Sequence, residues 1–283
     1  MLPLCSKDFL YDIDNQEVPQ HSHYILGEWN IFTTFAAVLL QSMAKDRSRD
    51  KGMEIVFEDD WLIVVDKPSG LLTMSTGKGR EVTAYSMLMD YVMEVRGRNA
   101  EKGLFIVHRL DRDTSGLVMF AKDEQTKMAM QENWNEAVLE RKYVALLEGH
   151  IESEEGWIES WVYEHPKSMK VHAFELRQGD NPERPPRKDW HFAATHCKTL
   201  EHMTVNESPY TKVEFELETG RKNQIRVHSE WIGHPIAGDK KYGAATNPFG
   251  RLALHAQTLS FIHPWTGKTM SFTSRLPRLF NQK

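Results

Sequence analysis

With 283 residues, 40% hydrophobic and 27% charged, the chain is long enough for one large domain or two small ones, and its balance argues against wholesale disorder. The apolar run Ile31 to Leu40 is too short to span a bilayer and lies too far in, behind an acidic start, to be a signal peptide, so a soluble, cytoplasmic protein without membrane attachment is expected. The formal charge of −5 does not by itself favour a polyanionic partner, but residues 1–60 carry eleven acidic and five basic side chains, so the acid surplus lies there and the remainder is close to neutral.

The first fifty residues lack a clean period; Trp29 to Met43 reads as one helix, followed by the charged run Lys45 to Lys51. Residues 1–53 are therefore taken as an N-terminal extension or small subdomain and 54–283 as the main domain. Ile55 to Phe57 and Trp61 to Val65 predict two short strands turning at Asp59 and Asp60, ended by the turn residues of Lys67-Pro68-Ser69-Gly70. Tyr85, Leu88, Val92 and Val95 recur at helical spacing. Leu104 to Val107 and Leu117 to Ala121 are apolar stretches that bracket the polar segment His108 to Gly116, which places that segment on a connection between strands, where chemistry is commonly mounted.

Asp123 is suited to cap a helix whose apolar face is Met130, Trp134, Ala137 and Val138, and Tyr143 to Leu147 predicts a strand. Residues 163–190, rich in proline, predict a loop excursion with one strand near Val171. The alternation Val213, Phe215, Leu217 marks a half-buried strand ended by Gly220. Arg221 to Ile232 predicts a helix closed by Gly233 and Pro235, and Leu252, Leu254, Leu259 and Phe261 resume a strand pattern. Strands outnumber helices and neighbours are close in sequence, so the expected class is α+β: a large, mixed, mainly antiparallel sheet flanked by helices and loops.

Three segments carry candidate chemistry. His108-Arg109-Leu110-Asp111-Arg112-Asp113-Thr114-Ser115-Gly116 sets two carboxylates among two arginines and two hydroxyls; alone it reads as a solvated turn, or as a glycosidase-like carboxylate pair whose separation the sequence does not fix. Gly220 to His228 gathers cations at a helix start, where the backbone dipole also favours anions. Arg141-Lys142-Tyr143 opens a strand with an aromatic beside two cations. Other patterns lack their required context. His108-Arg109 before an Asp has no kinase glycine loop or DFG segment with it, and Gly267-Lys268-Thr269 has Ile262 where a phosphate loop needs glycine. His21-Ser22-His23 has no further ligand at a convincing spacing, and Cys5 and Cys197 form no CxxC pair.

Taken in order, the segments resemble the RluA-type family of pseudouridine synthases. The resemblance rests on Asp66 to Gly70, His108 to Gly116, Tyr143 to Gly149, and Thr219 to His228 running into Gly233 to Asp239. It continues through Tyr242-Gly243 and Arg251 to Ala256 to His263 to Gly267. It covers residue 54 to the end, and the block at 108–116 is the most specific. The family often has Thr-His where this chain has Lys222-Asn223, and Asn where it has Asp66.

The resemblance implies a central catalytic cleft in which Asp111 is the essential carboxylate, Tyr143 stacks on uracil and Arg226 holds Asp111 in its charged form. It implies RNA contacts from Arg109 and Arg221, and a loop-ordering role for Asp113. The substrate would be ribosomal or transfer RNA, the target base flipped out of its stack. A monomer is expected, with neither metal nor organic cofactor. The rivals are a non-catalytic RNA-binding protein that keeps the fold and a hydrolase using Asp111 with Asp113.

Overall fold

The computed structural model describes residues 52–77, 79, 81–96 and 103–281. The expected extension over residues 1–53, its helix over 29–43 and His21-Ser22-His23 fall outside these, apart from Gly52 and Met53; Met53 is buried in one cluster with Ala84, Leu88 and Val92.

The described strands are β1 (Glu54–Glu58), β2 (Leu62–Lys67), β3 (Phe105–Ile106), β4 (Ser115–Ala121), β5 (Val138–Glu148), β6 (Glu155–Glu164), β7 (Val171–Phe174), β8 (His191–Val205), β9 (Ser208–Leu217), β10 (Leu254–Ile262) and β11 (Thr269–Thr273). The helices are α1 (Ala84–Arg96), α2 (Glu124–Glu132), α3 (Trp134–Ala137) and α4 (Gln224–Trp231). All eleven strands join one sheet in the order β1-β2-β4-β10-β5-β9-β8-β6-β7, with β3 added to β4 and β11 to β10. Every pairing is antiparallel except β4 with β10, which is parallel.

Local chemistry accounts for the elements. The Asp59 carboxylate accepts from the Trp61 and Leu62 amides at 2.8 and 2.7 Å, which fixes the β1–β2 turn. β2 and β4 read as unbroken apolar runs because the sheet is covered on both faces there. Ile63, Val65, Val118 and Phe120 pack with α1, whereas Leu62, Val64, Leu117 and Met119 pack with Met130 of α2. Asp123 caps α2 by accepting from the Thr126 amide at 2.7 Å. The single helix expected from Asp123 through Val138 is interrupted at Asn133, and Val138 already belongs to β5.

Two strands were not legible in the sequence, β6 and β8. β8 shifts register between Thr199 and Glu201, so Leu200 is an extra residue that resets the inward–outward alternation and erases the period of two. The next discrepancy concerns α4, expected from Arg221 and found from Gln224. Gln224 holds the preceding turn instead: its side-chain oxygen accepts from the Arg221 amide (2.9 Å) and Thr219 hydroxyl (2.8 Å), and its amide donates to Ala194 O and Thr195 Oγ1. α4 is thereby docked on β8 next to Tyr143's stretch of the sheet.

Candidate active site

Asp111 stands on the loop that leads into β4, and that loop is clamped from below by residues 67–73. Lys67 is fully buried and its ammonium donates to the carbonyls of Pro68 (3.0 Å), Leu71 (2.8 Å) and Arg112 (3.1 Å). Burial pulls its pKa down to about 8, against the opposing pull of Asp113 and Asp111. The Gly70 amide also donates to Arg112 O (2.9 Å), and the Ser69 hydroxyl to Asp113 O (2.7 Å). Thr73 Oγ1 both donates to Leu110 O (2.8 Å) and accepts from the Leu110 amide (3.2 Å). The backbone on either side of Asp111 is therefore held at every turn while its carboxylate keeps 29% of its surface.

The loop's exit is equally fixed. Arg251 Nη2 donates to Ser115 Oγ (2.7 Å), which lies 2.8 Å from His255 Nδ1, and His255 Nε2 lies 3.0 Å from Ser274 Oγ, whose hydroxyl donates to Asp66. Gly116 follows with φ +113°, and a Cβ there would lie 2.1 Å from the Ala256 carbonyl oxygen. Only glycine lets β4 approach β10 this closely. Across the sheet Gly116 is opposite Ala256, and Ala256 opposite Tyr143. The parallel β4–β10 step thus carries the loop end to the aromatic on β5, although the two are 27 residues apart in sequence. Burial pushes the Tyr143 phenol up to about 12, so it keeps its proton at neutral pH.

Arg226, from the first turn of α4, reaches both walls. Its Nη1 lies 3.2 Å from Asp111 Oδ2, and its Nε and Nη2 grip both oxygens of Asp239 at 2.6 and 2.8 Å. Burial opposes its charge, but the hydrogen bonds and charge of Asp239, with Asp111 behind them, outweigh that and raise its pKa. Asn223 precedes α4 in the left-handed region, φ 54°. The Asn223 amide nitrogen is best turned toward Asp111, 2.7 and 3.0 Å from its two oxygens, with the amide oxygen accepting from Tyr242 OH at 3.0 Å. The opposite orientation would set an amide oxygen against a carboxylate. The Tyr242 ring lies under Arg226, 4.9 Å from the guanidinium carbon.

These groups line one cleft of about 1190 Å³, which includes Asp111, Tyr143, Arg226, Arg109 and Arg221. Arg109 is exposed on its rim beside Met74 Sδ (3.7 Å), and Arg221 is exposed with its Nε donating to Phe192 O (2.9 Å). Lys222 is tied to Glu164 in an ion pair. Asp113 is exposed and its carbonyl is held by Ser69, but Asp111 lines the cleft and Asp113 does not. Asn223, Lys67, Asp239 and Tyr242 were not singled out from sequence. Their only signal was membership of the ordered motifs, which says nothing of which side chains meet. Among the described residues no group of three or more His, Cys, Asp or Glu is placed to hold a metal, and no helix is long and apolar enough to cross a membrane.

A carboxylate, a cation and a protonated phenol converging on one cleft of a mixed, mostly antiparallel sheet define an enzyme of the pseudouridine synthase class. The family model for RNA pseudouridylate synthase matches residues 61–231. An uncharacterized RNA pseudouridine synthase of Bacillus subtilis, YlyB, is 36% identical over 229 residues, covering 80% of this chain and 69% of that protein. Ribosomal large subunit pseudouridine synthase D of Nitrosomonas europaea is 34% identical over 235 residues, 80% of this chain and 62% of that one. Human RNA pseudouridylate synthase domain containing 4 superposes with a TM-score of 0.64 at 24% identity, covering 87% and 95% of the two chains, a likeness of fold. The chain belongs to the RluA-type family of RNA pseudouridine synthases, RNA-modifying isomerases.

Proposed function

We propose that this protein isomerises specific uridines in structured ribosomal or transfer RNA, in the cytoplasm, and that Asp111 is the reacting carboxylate. The reaction breaks the N1–C1′ bond of uridine and joins C1′ to C5 of the same base; a proton leaves C5, one is gained at N1, and the mass is unchanged. Nothing in that balance calls for an oxidant or for water as a reactant. The observation that carries the proposal is the convergence in one cleft of the Asp111 carboxylate, Arg226 at 3.2 Å and Tyr143.

Each group suits its task. Arg226 favours the charged carboxylate, and since Asp239 occupies two of its donors, a single one faces Asp111. Tyr143, protonated, supplies a ring face for the detached uracil and a phenol proton rather than a base. A flipped base costs roughly a few kcal/mol of stacking, which contacts to the flanking RNA must offset. The cleft lining holds six cations, Arg109, Arg112, Arg141, Arg221, Lys222 and Arg226, against Asp111, Glu164 and Glu218. A local positive surplus therefore exists within a chain of net charge −5.

The test is the product. RNA from a strain lacking the protein is incubated with pure enzyme, digested and analysed by mass spectrometry and chromatography. An isomer of uridine of unchanged mass is expected, and none with Asp111→Asn, which should still bind the RNA. Release of free uracil would instead mean hydrolysis, and RNA binding without any product would mean a binder. The same comparison, mapped across all cellular RNA, identifies the target uridine.

A further inference from the structure

We propose that Asn223 is a positioning residue for the reaction, its side-chain amide holding the Asp111 carboxylate in place. This rests on Asp111 being the reacting group. The geometry favours the amide over Arg226 as the principal restraint. Arg226 reaches one oxygen of Asp111 with one nitrogen at 3.2 Å, because its other two nitrogens are committed to Asp239. The Asn223 nitrogen meets both oxygens of Asp111, at 2.7 and 3.0 Å. A neutral amide fixes a carboxylate without a second full positive charge, so the carboxylate is oriented while its reactivity is less damped.

The direction of the amide is set by groups outside the cleft. The Val171 backbone N–H, at the start of β7, donates to the Tyr242 hydroxyl oxygen at 3.2 Å. The hydroxyl proton is then free to point at Asn223, whose oxygen lies 3.0 Å away, and the amide nitrogen is left facing Asp111. Tyr242 is fully buried and Asn223 is 9% exposed, so water competes weakly for either. The chain of donors runs one way, from β7 through Tyr242 and Asn223 to Asp111. The backbone at 223 adds a second requirement, since φ 54° is costly for most side chains and tolerated by Asn and His. Few residue types meet both demands, a positive φ and a side-chain N–H.

The test uses the full chain and total RNA from a strain lacking the protein, labelled with tritium at uracil C5, so that turnover releases tritium. Asn223→Gly keeps the left-handed backbone and deletes the amide; a fall in kcat of about 10- to 100-fold with KM nearly unchanged is expected, the size of one hydrogen bond to a charged group. Asn223→His restores a ring N–H in a side chain that accepts positive φ and should recover most of kcat. Tyr242→Phe removes the hydroxyl that orients the amide and should cost less, and adding it to Asn223→Gly should cost nothing more. An Asn223→Gly enzyme with wild-type kcat, or one impaired only in KM, overturns the proposal, as does a folded Asn223→His no better than glycine. If Asn223→Gly fails to fold, Tyr242→Phe decides alone: wild-type kcat refutes the directed chain. Wild-type enzyme that releases no tritium would count against the proposed function, a result distinct from these.

Discussion

Asp239→Asn removes one charge from a pair that the fold has largely taken out of water. The Arg226 and Asp239 side chains are 12% and 1% exposed, joined by two hydrogen bonds of 2.6 and 2.8 Å. Removing one partner of a buried pair costs about 3–5 kcal/mol, because the other charge is left without compensation. Here Asp111 remains at 3.2 Å and can recover part of that by a second charge-assisted bond, about 1.5–3 kcal/mol. The net loss should be about 2–3 kcal/mol, a large share of the roughly 5–15 kcal/mol that holds a domain together. The recovery has a consequence for turnover. A guanidinium released from Asp239 and drawn onto Asp111 neutralises the reacting carboxylate, so kcat should fall by at least about tenfold even at temperatures where the variant is folded. Urea unfolding of wild type, Asp239→Asn and the double variant Arg226→Met/Asp239→Asn, beside tritium-release kinetics, tests both halves. The double variant should be more stable than the single one, since it buries no lone cation. An Asp239→Asn enzyme within about 1 kcal/mol of wild type and equally active would refute the reasoning.

Gly116→Ala should lower the melting temperature sharply or abolish soluble expression. Its Cβ would lie 2.1 Å from Ala256 O and 2.7 Å from two further backbone atoms, so β4 and β10 must part, and φ +113° adds strain of about 1–3 kcal/mol; a wild-type melt would contradict this. His228 and His255 are buried and burial lowers both to about 4 from 6.5. The unfolded chain then takes up protons first as the pH falls, so their contribution is whole above about pH 6.5 and lost progressively toward 4, up to about 3 kcal/mol each. Urea midpoints that stay flat from pH 6.5 to 5 would rule this out. Arg109→Ala and Arg221→Ala should weaken RNA binding and each reduce the slope of log K against log salt by about 0.7–0.9, whereas Asp111→Asn leaves the slope unchanged; unaltered slopes in both arginine variants would remove them from the RNA contact.

Much of the sheet was legible because its burial is two-sided at β2 and β4 and one-sided at β9, patterns that sequence displays directly. What failed did so for stated physical reasons. Leu200 breaks the alternation of β8 by bulging, and Asn133 divides a helical apolar stripe that a periodic reading carries through to Val138. Within the site, Asp111, Tyr143 and Arg226 came from the resemblance, and their meeting depends on a single parallel strand pairing that no local pattern predicts. Asn223 drew notice as a departure and Lys67 as part of a turn. Their contacts arise between segments over a hundred and about forty-five residues apart in sequence, and spacing along the chain carries no information about them.

The placement of charge separates holding RNA from acting on it. At the centre, one cation, Arg226, stands between two carboxylates, Asp239 and Asp111. At the rim Lys222 is neutralised by Glu164, but Arg109, Arg112 and Arg221 are exposed and make no ion pair among the described residues. Phosphates that approach would meet the rim cations first, with the carboxylate set deeper, so the negative net charge of the chain says little about its affinity for RNA. Had the reacting carboxylate been the anchor of the rim arginines, each turnover variant would also change binding. Because Asp111 is restrained by Asn223 and by one nitrogen of Arg226 instead, the two properties should move independently: rim variants shift KM and salt dependence, and centre variants shift kcat. A rim substitution that lowers kcat at saturating RNA while leaving the salt slope untouched would show that the two regions are not separate.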